Sequence, residues 1–174
     1  MNISESQLET VLARLDRLES LSQIAHLRAR YCQALDDGRW EDLADTFTND
    51  GAFIGLSVAR GRKEMLEFFP TLNQNTVTSW WHFSSNETVE FSDPDHASGV
   101  TWLLQPCVVE GQSQIAAGRY TDLVVRTEKG WLFKERKVSF FFWSSLTDGW
   151  DVAKFDWPPA IEAADKRTLN RANS

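Results

Sequence analysis

WWHFSSNETVEFSDPDHASGVTWLLQPCVVEGQSQIAAGRYTDLVVRTEKGWLFKERKVSFFFW, residues 80–143, sets the architecture of this chain. Three turn signals, Ser92-Asp93-Pro94-Asp95, Glu110-Gly111 and Glu128-Lys129-Gly130, divide it into segments 80–91, 97–109, 114–127 and 131–143. Each segment is rich in aromatic and β-branched residues and is bounded by turn formers, which is the signature of a strand. Four such strands in succession predict an antiparallel meander.

Upstream the periodicity changes from two to about 3.6. Ser4 and Gln7 fit a capping box, and Leu8, Val11, Leu12, Leu15, Leu18, Ile24, Leu27, Tyr31 and Leu35 then recur at helical spacing. This predicts one long helix, broken near Leu21-Ser22, that stops at Asp36-Asp37-Gly38, where glycine supplies a left-handed cap. A short second helix is predicted to carry Trp40, Leu43, Ala44 and Phe47 on one face and to end at Asn49-Asp50-Gly51. A strand over 52–56, a turn at Gly61 and a third helix over 63–69, stopping before Pro70, complete the first half. Helices gathered ahead of strands indicate an α+β fold, a curved, mostly antiparallel sheet with the N-terminal helices packed on one face, whose long strands must curl to enclose them. The domain is expected to span 1–157, with a polar tail over 158–174 after Pro158-Pro159.

Bulk properties narrow the partners. At 174 residues the chain suits one domain with a sizeable core. A net charge of -7 and a pI near 5.0 repel phosphate backbones and anionic lipid surfaces, so neither nucleic acid nor a membrane is an expected partner. No apolar run approaches the roughly 20 residues of a spanning helix, and MNISESQLET lacks the layout of a secretory signal, which predicts a cytoplasmic protein. Cys32 and Cys107 show no paired spacing and are expected as buried free thiols. Eight tryptophans and 11 phenylalanines suit either a core or a cavity that stacks on a flat ligand.

Few residues can carry chemistry. Asp36 and Asp37 lie in the last helical turn, where the helix end disfavours an acid by about 0.3–1 kcal/mol. Asp37 fits a solvated turn, whereas Asp36, nearer the apolar face of Tyr31 and Leu35, calls for a partner inside. His26 and His96 have solvated surroundings, but His82 follows Trp80-Trp81 at the mouth of a strand, either as a satisfied structural residue or as a base. By alternation Arg136 shares a face with Leu132, Lys134, Val138, Phe140 and Phe142, paired structurally with an acid or offering donors to an anion. Nucleophile, nucleotide and metal motifs are missing from the sequence.

Together these residues resemble the SnoaL-like family of the nuclear transport factor 2 superfamily. The likeness is nearest to the branch of scytalone dehydratase, bile-acid 7α-dehydratase and hexachlorocyclohexane dehydrochlorinase, and it runs from about Ile24 to Trp143. YCQALDDGRWEDLADTFTNDGAF matches the family's first-helix segment at Tyr31 and Asp36, HFSSNETVEF its histidine strand at His82, and GWLFKERKV its last strand at Arg136. The resemblance implies a cone-shaped fold and a cofactor-independent lyase with no metal, acting on a small hydrophobic, cyclic or aromatic substrate. In it Asp36 fixes the tautomer of His82, His82 removes a proton, Tyr31 donates to a carbonyl or leaving oxygen, and Arg136 stabilises developing negative charge. Trp80, Trp81, Trp102, Phe140 and Phe142 are candidate pocket walls. The resemblance also implies a homodimer or homotrimer formed through the outer face of the sheet. Alternatives on the same cone are a polyketide cyclase or ketosteroid-isomerase-like enzyme, the small subunit of a ring-hydroxylating dioxygenase, and a non-catalytic ligand-binding module.

Overall fold

The computed structural model describes residues 4–75 and 77–149; the expected tail lies outside them. Ser4 caps α1 (Glu5–Asp36) through a reciprocal capping box with Gln7, and the helix runs 32 residues without the expected break at Leu21-Ser22. Neither residue removes a backbone donor, so the ladder continues through them. α2 (Trp40–Ala44) is shorter than expected, because Phe47 already belongs to β1 (Phe47–Ile54). β2 (Val58–Arg60) leads into α3 (Gly61–Asn75), which continues past Pro70. Phe69 is buried and Leu72 packs on the core, so packing carries the helix through a residue that isolated propensity would make its end.

The meander follows, with its first member split into β3 (Val77–Trp80) and β4 (Phe83–Phe91). β5 (His96–Val109), β6 (Gln112–Thr127) and β7 (Gly130–Ser145) are long and antiparallel to their neighbours. The order across the sheet is β2-β1-β7-β6-β5-β3, with β4 also on β5. Among the described residues only β1 and β7 pair in parallel. Two register shifts between β6 and β7 leave Lys134 and Phe141 as extra residues, and such bulges bend a sheet. The curled sheet and the helices enclose one core, in which Tyr31, Phe133, Leu27 and Ile24 are fully buried. This is the expected α+β cone. Among the described residues no helix is long and apolar enough to cross a membrane.

Gly99 marks a tight point in this packing. A Cβ there would collide with the Thr88 carbonyl oxygen and the Arg28 guanidinium. Gly99→Ala is therefore expected to destabilise the fold by about 1–3 kcal/mol through overpacking between β4 and β5. A urea melt reads the change as a lower midpoint at unchanged slope.

Candidate active site

Asp36 is the last residue of α1, followed by the cap at Asp37 and by Gly38 at φ 67, the left-handed turn that ends the helix. The Trp80 indole N–H donates to the Leu35 carbonyl at 3.1 Å, which ties this helix end to β3 and satisfies a last-turn acceptor. The strand ends at Trp80. The Trp81 backbone N–H donates to the Pro106 carbonyl at 3.1 Å, but proline has no N–H to return the bond. Pairing lapses over Trp81 and His82 and resumes at Phe83 opposite Leu104 in the same register, and across this gap the His82 backbone N–H donates to Asp36 Oδ2 at 3.0 Å.

The imidazole follows its backbone. His82 Nδ1 lies 2.5 Å from Asp36 Oδ1, with the His82 side chain 4% exposed and the Asp36 side chain 21% exposed. An ionised Asp36 requires Nδ1 to carry the proton, so Nε2 is left as an acceptor. The two hydrogen bonds from His82 offset the unfavourable placement of an acid at a helix C-terminus.

His82 forms part of the wall of a chamber it shares with Tyr31, Trp80, Gln105, Tyr120 and Phe140. Apolar side chains, among them Phe53, Phe69 and Val138, close the rest. The free volume is about 30 Å³, roughly the share of one water in the liquid. The expected pocket is thus filled by aromatic rings: Phe53 and Phe69 pack at a 59° tilt with centroids 5.0 Å apart. A wider groove of about 460 Å³ between α1 and β4, along Ala25, Ala29 and Ser84, also reaches His82.

Arg136 lies behind the chamber rather than in its wall. It is fully buried, with its guanidinium 3.9 Å from the Tyr120 ring centroid, 4.3 Å from that of Tyr31 and 4.4 Å from that of Phe133. Its Nε is 3.3 Å from Asp122 Oδ1, close enough for charge pairing but not aligned as a hydrogen bond. Asp122 Oδ2 accepts from Arg28 Nε at 3.0 Å, and Arg28 reaches on to Glu87 at 2.9 Å and the Thr88 carbonyl at 3.2 Å. One buried carboxylate thus serves two buried arginines. Burial pushes the Tyr31 phenol well above the usual tyrosine range, while Arg136 pulls the other way, and Tyr120 is raised for the same reason. Both phenols therefore keep their O–H groups and can donate hydrogen bonds. The Tyr31 hydroxyl has no hydrogen-bond partner among the described residues.

The structure thus brings Asp36, His82 and Tyr31 together, with Arg136 one layer back. Trp80 and Phe140 line the chamber. Trp81 and Trp102 do not: they are 52% and 46% exposed, and Trp102 packs against Phe141 at 5.2 Å on the outer face. Strand parity explains Trp102, since Thr101, Leu103 and Gln105 take the inward positions of β5. Phe142 is likewise not a wall residue, because past the bulge at Phe141 it pairs with Ala117 while buried Trp143 pairs with Ala116. The other bulge turns Lys134 outward to pair with Asp50 and Phe133 inward, so the expected face holds at Arg136, Val138 and Phe140 only in part. Asp37 is 62% exposed and paired with Arg39, a solvated turn as expected. Cys32 and Cys107 are buried and free, and burial pushes the Cys107 thiol up to about 12.

Sequence reasoning passed over Tyr120, Gln105 and Asp122. Asp122 stands directly across from Arg136 in the β6–β7 register, but only because the extra residue Lys134 shifts the pairing by one, so counting back from the turn does not find it. Tyr120 is the only tyrosine in the chain besides Tyr31 and lies two residues before Asp122, on the same inward face. Gln105 is 4% exposed in a chamber otherwise rich in apolar groups.

Residues 16–137 match the SnoaL-like domain family, and the chain belongs to it. Among solved structures it is similar to the hexachlorocyclohexane dehydrochlorinase LinA-type3 of Novosphingobium barchaimii LL02, with a TM-score of 0.73 and 21% identity, covering 84% of this chain and 99% of that one. It is also similar to a Novosphingobium aromaticivorans DSM 12444 protein provisionally assigned as a scytalone dehydratase, at TM-score 0.68, 22% identity, 74% of this chain and 89% of that one. ActVI-ORFA of Streptomyces coelicolor gives 0.60 and 17%, over 69% of this chain and 93% of that one. No curated protein matches the chain in sequence. Likeness at these identities establishes the cone; what the cone does must come from its residues.

Proposed function

We propose that this protein is a cofactor-independent lyase that eliminates water, or a comparable leaving group, from a small hydrophobic cyclic substrate. The observation that carries the reading is the 2.5 Å contact between His82 Nδ1 and Asp36 Oδ1 on the wall of an apolar chamber. His82 Nε2 removes a proton next to a carbonyl, the electron pair forms the new double bond, and the leaving group departs from the adjacent carbon. The Tyr31 hydroxyl, buried and unpartnered, donates to the carbonyl or leaving oxygen. Arg136 acts through the rings it lies against rather than by touching substrate, so it is a positioning residue. Substrate reaches His82 along the α1–β4 groove and displaces the rings that fill the chamber, which is induced fit of the chamber side chains.

A panel of cyclic β-hydroxy and β-halo ketones incubated in D2O, followed by mass spectrometry, tests this. The expected result is a conjugated enone with loss of water or halide. Deuterium uptake beside the carbonyl without loss of the leaving group would instead indicate an isomerase or cyclase on the same residues. Compounds bound tightly and returned unchanged and unlabelled would indicate a ligand-binding module and end the enzymatic account.

A further inference from the structure

α1 has two apolar faces, and only one of them meets its own cone. From Ser20 onward Ile24, Leu27, Tyr31 and Leu35 are buried beneath the helix. Before it, Leu8, Val11, Leu12, Leu15 and Leu18 are 50%, 55%, 54%, 49% and 64% exposed. At 100° per residue, Leu15 lies on the side of the helix opposite Ile24, with the other four flanking it. The first half of the helix is tied to the cone by its other side: Asp16 accepts from Arg126 at 2.8 Å, and Arg17 sits 4.7 Å over the Phe91 ring.

The spacing of the outward stripe is specific. Leu8, Val11, Leu15 and Leu18 follow the 3-4-3 interval of a two-helix seam, occupying the a and d positions of successive heptads. In that frame Arg14 falls at g and Glu19 at e, five residues apart, which are the flanking positions that face each other between two parallel helices. A second copy would therefore meet Arg14 with its own Glu19, twice by symmetry. Beyond Leu18 the corresponding positions become Ser22, Ala25 and Ala29, where the large apolar side chains stop. Along Leu8 to Leu18 the cone meets its own helix on the side away from the stripe, through Asp16 and Arg17, which leaves this stretch open to a second copy.

We infer that the N-terminal half of α1 is a docking face for the same segment of a second copy, forming a parallel two-helix seam.

Cysteine crosslinking of the full chain tests the seam directly, since Cys32 and Cys107 are buried. Leu15→Cys places a thiol at the centre of the seam and is expected to form a disulfide-linked dimer under mild oxidation. Ala13→Cys, on the side of α1 away from the stripe, is expected to remain monomeric on a non-reducing gel. Sedimentation should show the wild type as a dimer or higher multiple, and Leu15→Glu should weaken the helix contact at least tenfold with an unchanged circular dichroism spectrum, because the replaced side chain is half exposed. A monomeric wild type would overturn the proposal. So would an oligomer that ignores Leu15→Glu and gives no Leu15→Cys crosslink, a result that would place the contact on the sheet or another segment.

Discussion

Asp36→Asn is expected to be as damaging to turnover as His82→Ala, each lowering kcat/KM by about 10²- to 10⁴-fold while the fold is retained. The loss in the alanine variant is simple removal of the base. The loss in the asparagine variant follows from one backbone bond. The His82 main-chain N–H, which donates to Asp36 Oδ2 at 3.0 Å, is a donor in every protonation state. An asparagine amide must therefore turn its oxygen to that N–H and its NH2 group toward His82 Nδ1. The ring can meet an NH2 group only as an acceptor, which moves the proton to Nε2 and leaves no free lone pair facing the substrate. The side-chain contact survives and the base is lost. Imidazole nitrogen shifts by NMR should record the change of tautomer, and circular dichroism should record an unchanged fold. Near-native rates in both variants on a substrate the wild type converts would remove the dyad from the mechanism.

The parts of this site that sequence made legible are those fixed by local chemistry. Asp36 stands out as an acid at a helix end where an acid is disfavoured, and His82 as the one histidine set among aromatic residues. The parts that stayed hidden depend on which face of a strand a residue takes. Lys134 and Phe141 are inserted residues, and each reverses the inward-outward alternation around it, so Phe142 cannot be placed by counting from Arg136. Trp81 and Trp102 invite a pocket role by size, yet one is exposed at the gap between β3 and β4 and the other takes an outward position of β5. The apolar run from Leu8 to Leu18 resembles core in sequence because periodicity records that a face is apolar, not what covers it. Pro70 marks the same limit from another side: a helix breaker was overruled by the burial of Phe69.

Asp122→Ala is expected to cost about 3–5 kcal/mol of stability, a large fraction of the 5–15 kcal/mol that holds a domain of this kind together. The side chain is fully buried and is the charged partner shared by Arg28, 2% exposed, and Arg136, 0% exposed. Its loss leaves Arg28 with Glu87, 44% exposed, and Arg136, among the described residues, with the ring faces of Tyr31, Tyr120 and Phe133. Ring faces attract a cation by about 2 kcal/mol when desolvated, less than the cost of holding that charge without an anion. Glu87→Gln is the contrasting case: its pair is half solvated, and about 1 kcal/mol or less should be lost. Urea unfolding of the two variants separates these values, and equal midpoints would mean that Asp122 is not the hub of the network. The same comparison bears on chemistry, because Arg136 lies against both phenols of the chamber. A double-mutant cycle between Asp122→Ala and Tyr31→Phe should show coupling in kcat/KM, because the cation held by one residue sets the donor strength and orientation of the other.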